Sequence, residues 1–340
     1  MRGRGYGRVT SGFHFYRNAR VAEVGTRRGR TLWRAHLCRE HHRKWSADMT
    51  RIPISVWQRL LRNPRVLIGG GVCLLLLLMA LFAPWIAPLD PQDQDLLASF
   101  EAPALFATPA DAEPNAARHW LGTDNLGRDV LSRLVYGARI ALLVALAAAT
   151  LAGLVGTALG ALAGFYGGRV DALISRLVDV WMSFPPVLLA IVLVSVIGTG
   201  LWSVIAAIAI VDWTRFCRVV RAETQAQTAL DYVTSARMLG LSPLRILASE
   251  ILPNVAPLLI TLITLEMGVA IVVEAILSFV GLSLASGVST WGGMIGEGRL
   301  YVNQAPWLMV LPMAAMMAAV LGLNALGDGL RRELDPVVRR

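Results

Sequence analysis

The sequence predicts an all-α integral membrane protein with six transmembrane helices, and two observations carry that class. Hydrophobic residues make up 55% of the 340-residue chain and charged residues only 16%, against about a quarter in an ordinary soluble domain. Six apolar stretches are also long enough to cross a hydrocarbon core of about 30 Å, which a helix rising about 1.5 Å per residue spans in roughly 20 residues. They lie at about 66–87, 138–164, 177–198, 200–220, 255–281 and 305–327.

Each span carries its own signals. In the second, Gly153, Gly156, Gly160 and Gly164 include a ladder at four-residue spacing, which lets a neighbouring backbone approach closely. Pro185-Pro186 in the third and Pro257 in the fifth remove backbone donors, so each sits in a first turn or makes a kink. The fourth holds Asp212, Arg215 and Arg218 in its second half; arginines near a helix end extend their heads to the interface, so this stretch serves as a span if that end faces the cytoplasm. The fifth carries Glu266 and Glu274, eight residues apart and therefore on a similar face. A carboxylate there is costly unless protonated, paired or facing water, so two readings stand: a lining for a translocation pathway, or a pair with an arginine or hydroxyl of a neighbouring helix.

The formal charge of +9 points elsewhere, to nucleic acid or an acidic surface, until it is located. Of the 32 basic and 23 acidic residues, 12 and 3 fall in residues 1–48, leaving 20 of each in the body. No nucleic-acid partner is expected. The head is rich in Arg and Gly without an apolar period and reads as a disordered extension. Met49 opens a segment, 49–65, that has the character of a cytoplasmic start, so we expect Met49 to be an alternative first residue. The chain then divides into 49–137, with the first span and an outer loop, a core of 138–330, and a tail of 331–340. With both termini in the cytoplasm, fifteen arginines of the body lie inside and five outside, the asymmetry that orients membrane proteins. Membrane lipids are thus the surroundings.

Several chemistries are absent. The cysteines are Cys38, Cys73 and Cys217, and His119 is the sole histidine after residue 48, so neither a disulfide framework nor a metal site is expected. The single lysine, Lys44, follows no glycine loop, so the chain carries no ATP-binding loop of the Gly-Lys-Ser/Thr kind and no cofactor is expected. No HExxH pair and no serine elbow marks an integral-membrane enzyme, and we expect no catalytic residue. A secondary transporter often shows paired internal repeats, and none is visible.

Between the fourth and fifth spans, residues 231–240 (DYVTSARMLG) read as a helix capped by a left-handed glycine. Ser242-Pro243 then reads as the N-cap and first position of a second short helix, Leu244 to Leu252, closed by Pro253. This run, with ILPN at 251–254, resembles the EAA loop of permease subunits of binding-protein-dependent ABC importers. Residues 119–133 (HWLGTDNLGRDVLSR), 274–282 (EAILSFVGL), 290–299 (TWGGMIGEGR), 305–307 (APW), 326–331 (LGDGLR) and 334–336 (LDP) are similar to the second, C-type permease of dipeptide/oligopeptide (nickel) importers. The likeness covers about 55–337.

That resemblance implies a type I ABC importer permease fold, a transport subunit rather than an enzyme, and a bacterial cytoplasmic (inner) membrane as its location. It implies two ATPase subunits that use the ATP, a second homologous permease and an extracytoplasmic substrate-binding protein as partners. It implies that the short helix after Gly240 docks on an ATPase subunit, with Ala236, Arg237, Gly240, Leu244 and Arg245 at the contact and Asp231, Glu250 and Pro253 framing it. The implied cargo is di- or oligopeptide, with glutathione and nickel as alternatives of the same family. The chain departs from the family pattern in places. Thr234-Ser235-Ala236 replaces Glu-Ala-Ala, Glu250 stands where histidine is common, Asp212-Trp-Thr-Arg215-Phe replaces a smaller, tyrosine-containing sequence, and Pro312-Met313 lacks a frequent glycine. The 122–127 loop (GTDNLG) has Arg128 where a phosphate loop needs lysine, so no nucleotide is expected there.

Overall fold

The computed structural model describes residues 60–104, 119–284 and 287–334; the basic head and Met49 lie outside the described residues. The helices are α1 (Pro64–Leu81), α2 (Ala83–Ile86), α3 (Val130–Tyr166), α4 (Gly168–Met182), α5 (Pro186–Ile197), α6 (Leu201–Thr228), α7 (Asp231–Met238), α8 (Pro243–Arg245), α9 (Leu252–Phe279), α10 (Trp291–Gly298) and α11 (Trp307–Leu334). Among the described residues the only β pairing is an isolated antiparallel bridge between Thr123 and Asp129.

Among the described residues four helices are long and apolar enough to cross a membrane: α1, α3, the run Pro243–Phe279 that ends in α9, and α11. The third and fourth expected spans behave differently. Residues 177–198 are not one helix, because the chain breaks between α4 and α5 and turns through 86°. Pro185 and Pro186 supply no N–H, and a residue before proline is pushed out of the helical region, so α4 stops at Met182 and α5 restarts with Pro186 in its first turn. With 12 residues α5 is about 18 Å long. The fourth stretch is long enough at 28 residues, but Asp212, Arg215 and Arg218 break its apolar character.

The glycine ladder of α3 does what its spacing predicts. A Cβ at Gly160 would lie 2.5 Å from the Cys217 carbonyl oxygen, and one at Gly164 would lie 2.6 Å from that of Arg221. Only bare backbone lets α3 and α6 run side by side this closely, in parallel and in step, with Gly156 facing Trp213 and Phe216 one turn earlier and Gly153 facing the Phe216 ring two turns earlier. The same device seats α1 on α11, where Gly69 faces the backbone of Gly322, Ala325 and Leu326. The main core joins Val144, Ala148, Ile205, Ile208, Ile271 and Leu277 from α3, α6 and α9.

Amphipathic α4 lies across the end of α3 and α6. Its Ile174 and Val178 are buried with Trp213 and Cys217, while Asp171 holds Arg221 through two hydrogen bonds, the Nη2 to Oδ2 one at 2.8 Å.

Candidate functional site

The segment after α6 is a compact unit with its own small core. Val233, Ile246, Ile251 and Val255 are buried against Ala161 of α3 and Val220 of α6, with Tyr232, Leu241 and Phe165 packed around them. Each such side chain contributes about 1.5–3 kcal/mol relative to exposure, which suffices to hold a short α7 that has little stability alone. The Arg237 guanidinium lies 5.6 Å over the Phe165 ring, a cation–π contact that ties α7 to the end of α3. Tyr232 donates to Gln227 Oε1 at 2.8 Å, and burial pushes its phenol above the ordinary range.

The cap expected at Gly240 is present. Gly240 has φ +76, its N–H donates to Arg237 O at 3.0 Å, and the Leu241 N–H donates to Ala236 O at 3.3 Å, the paired bonds of a Schellman turn. Ser242 occupies the N-cap position with extended backbone, but its hydroxyl makes no cap hydrogen bond. Pro243 presets the first helical φ instead.

Pro253 does not close the short helix. The chain passes from α8 through a π-helical stretch, Ile246–Ile251, directly into α9, forming one 37-residue helix from Pro243 to Phe279. The wider π turn shifts the hydrogen-bond register just before Pro253, so the missing N–H falls in a turn already altered. Side chains occupy the carbonyls there: Ser249 Oγ donates to Arg245 O at 2.7 Å and Asn254 Nδ2 to Glu250 O at 2.6 Å. The run from Pro243 to Phe279 is about 55 Å long.

The unit presents an apolar tip. Met238 is 83% exposed, Leu239 82% and Leu244 64%, and Arg237, Gly240 and Arg245 surround them, all exposed. Ala236, expected at the contact, instead points into the small core at 6% exposure. Asp231 and Pro253 are exposed at the far ends of the unit, and Glu250 is half-buried beside Ser249. Met238 and Leu239 were not singled out from sequence. Their signal is two consecutive large apolar residues immediately before a helix-terminating glycine, where no amphipathic face claims both.

The two acids of α9 are buried and differently partnered. Glu266 Oε1 receives Arg215 Nη1 at 3.4 Å, and Arg215 Nε lies 3.8 Å from Asp212 Oδ1. Glu274 Oε1 accepts from Ser278 Oγ at 2.6 Å and from Ser283 Oγ at 3.3 Å. Of the two readings open to the sequence, the geometry matches pairing with an arginine for Glu266 and with hydroxyls for Glu274. Neither lines the adjacent cavity of about 340 Å³, whose polar wall is Asp212, Arg215 and Asn324.

At the opposite end of the bundle, residues 119–133 form a knot whose chemistry is spent internally. Asp124 accepts from Arg128 Nε at 2.7 Å and from Arg133, and both arginines reach Glu297 Oε2 of α10 at 2.9 Å. His119 Nδ1 lies 3.1 Å from Asp129 Oδ1, while Asp129 Oδ2 caps α3 through the Ser132 N–H at 2.7 Å. Among the described residues no group of three His, Cys, Asp or Glu side chains is placed to hold a metal.

Known proteins share this architecture and sequence. Residues 156–340 match the family model of the inner membrane component of binding-protein-dependent transport systems, and residues 54–103 match the N-terminal transmembrane domain of oligopeptide transport permease C. The di/tripeptide transport system permease protein DppC of Pseudomonas aeruginosa is 40% identical over 283 residues, covering 83% of this chain and 91% of that one. The glutathione transport system permease protein GsiD of Salmonella typhimurium is 39% identical over 293 residues, covering 86% and 93%. Among solved structures, an inward-facing MetNI methionine ABC transporter chain superposes with a TM-score of 0.51 at 19% identity, covering 60% of this chain and 97% of that one, a likeness of fold.

Proposed function

The chain belongs to the family of inner membrane components of binding-protein-dependent transport systems, the permeases of ABC importers, and from that membership we propose that it imports short peptides. It works beside a second, homologous permease, with two ATPase subunits on the cytoplasmic side and a binding protein outside. Both termini face the cytoplasm, in keeping with the arginine asymmetry. The 231–254 unit is the coupling element: Met238, Leu239 and Leu244 enter a groove on the ATPase, Arg237 and Arg245 flank them, and Gly240 sets the angle of the tip. Asp231, Ala236, Glu250 and Pro253 support that contact rather than make it.

The observation that carries this reading is the exposed apolar tip fixed to one end of a continuous helix. An exposed cluster of this kind marks a partner site, and its rigid connection converts a push at the ATPase into movement of α9, and through Phe165 of α3. Di- and tripeptides are favoured as cargo by the likeness to DppC; the likeness to GsiD keeps glutathione, itself a tripeptide, as a second reading.

Purified importer containing this chain, its permease partner, ATPase subunits and binding protein, reconstituted into vesicles, accumulates labelled dipeptide only with internal ATP. Excess unlabelled tripeptide competes. Accumulation driven by a proton gradient without ATP would overturn the importer reading, and competition by glutathione but not by dipeptides would reassign the cargo.

A further inference from the structure

Two cavities adjoin along α6. The first, of about 340 Å³, is walled by Val211, Val272 and Ile276 and carries Asp212, Arg215 and Asn324. The second, of about 660 Å³, lies toward the α7–α8 end and is lined by Arg215, Arg218 and Arg331 with Glu223, against Met182 and Leu258. Arg215 borders both. We propose that the second cavity receives the carboxylate end of the transported peptide, with Arg218 and Arg331 as its ligands. The inference rests on the peptide reading above and assigns residues to it.

The fold leaves two of the cations here without an anionic partner among the described residues. Of the arginines along α6, Arg221 is held by Asp171 and Arg215 by Glu266 and Asp212. Both Arg218 and Arg331 are exposed; among the described residues Arg218 has one hydrogen bond, to the Met182 sulfur at 3.3 Å, and neither makes an ion pair. The acid of this cavity, Glu223, already accepts from Gln227 Nε2 at 2.8 Å. A guanidinium in a partly apolar cleft gains most from a planar carboxylate, which it meets with two parallel N–H donors.

Charge order along α6 adds direction. Asp212 is the one carboxylate lining the first cavity, whereas the second holds Arg218 and Arg331 against Glu223. Asp212 and Arg218 are six residues apart, about 9 Å along the helix axis and about 120° around it. An extended di- or tripeptide is about 7–10 Å long at roughly 3.4 Å per residue. A short zwitterion that winds past Arg215 with this rise and turn brings its amino end to Asp212 as its carboxylate reaches Arg218 and Arg331. Arg215, bordering both cavities with carboxylate partners at 3.4 and 3.8 Å, stands where the peptide passes from one to the other.

The test uses the complete importer in vesicles and follows ATP-driven uptake of a neutral dipeptide against its concentration. R218Q/R331Q is expected to raise KM about tenfold, the usual order for losing a hydrogen bond to a charged group, and R218K/R331K to recover at least half of that change. The deficit persists in vesicles made only of neutral phosphatidylcholine. An unchanged KM in R218Q/R331Q overturns the inference, as does a lysine variant as defective as the glutamine variant, which would mark a packing role. A deficit that appears only when acidic phospholipid is present also overturns it and assigns the cavity to a lipid headgroup. Wild-type vesicles that accumulate no peptide sink the peptide reading itself, whereas normal uptake by the glutamine variant sinks this inference alone.

Discussion

The knot at 119–133 and the proposed coupling unit at 231–254 are both short, rich in charge and built around a left-handed glycine, yet they use those features in opposite ways. In the knot, Asp124, Asp129, Arg128 and Arg133 are buried and bonded to one another, to Glu297 or to backbone N–H groups. Gly127, at φ +72, has the Asp95 backbone pressed against it. In the coupling unit the polar and large apolar side chains around Gly240 face outward, and nothing lies within 4 Å of where its Cβ would be. A charged motif is a candidate for function to the extent that the fold leaves its groups unused. By that measure the knot is architecture, and the tip is the surface we propose as an interface.

The knot should therefore be the costliest place to break. Replacing Asp124 by Ala leaves Arg128 and Arg133 sharing Glu297 alone, and removing one partner of a buried ion pair costs about 3–5 kcal/mol. The D124A chain is expected to accumulate poorly in membranes and to unfold at markedly lower temperature in detergent. Retention of wild-type thermal stability would show that these charges serve something other than the fold.

The two glycines give a matched pair of smaller size. G127A meets both a disfavoured backbone conformation and a collision with the Asp95 backbone, each worth about 1–3 kcal/mol. G240A meets only the first, because its surroundings are open, and should cost about 1–2 kcal/mol. Denaturation midpoints of the two variants, measured in the same detergent, test the comparison directly. Equal losses would mean that the space around each glycine is irrelevant.

What the sequence made legible was local. The apolar lengths of α1, α3, α9 and α11, the ladder from Gly153 to Gly164 and the cap at Gly240 depend on residues within a few turns of one another. What it hid depends on rotation and on distant partners. α9 and α11 are apolar nearly all round, so their sequences do not say which face packs where. The Arg215–Glu266 pair joins positions 51 residues apart and the Arg128–Glu297 pair positions 169 apart, and no spacing rule reaches that far. Pro253 misled for a related reason: a proline after a π turn sits in a register already shifted, and only the three-dimensional path reveals that the helix continues. Ala236 was placed at the contact by its position in a motif, and the small core beneath α7 claims it instead.

The finest separation of architecture from interface lies within the coupling unit, between Leu244 at its tip and Val233 beneath it. Leu244 is largely exposed and Val233 fully buried. L244S removes no internal contact and should change the unfolding free energy by no more than about 0.5 kcal/mol. An anchor residue of an interface, in contrast, is worth about 2 kcal/mol or more to association, so the same variant should recover at least tenfold less ATPase subunit in co-purification from mild detergent, with uptake falling in step. V233S should do the reverse in order of events, losing thermal stability before any loss of association is measurable at low temperature. Normal ATPase recovery with L244S would remove the tip from the interface and return the apolar cluster to an unexplained exposure, whereas a loss of both stability and recovery in L244S would mean that Leu244 belongs to the small core after all.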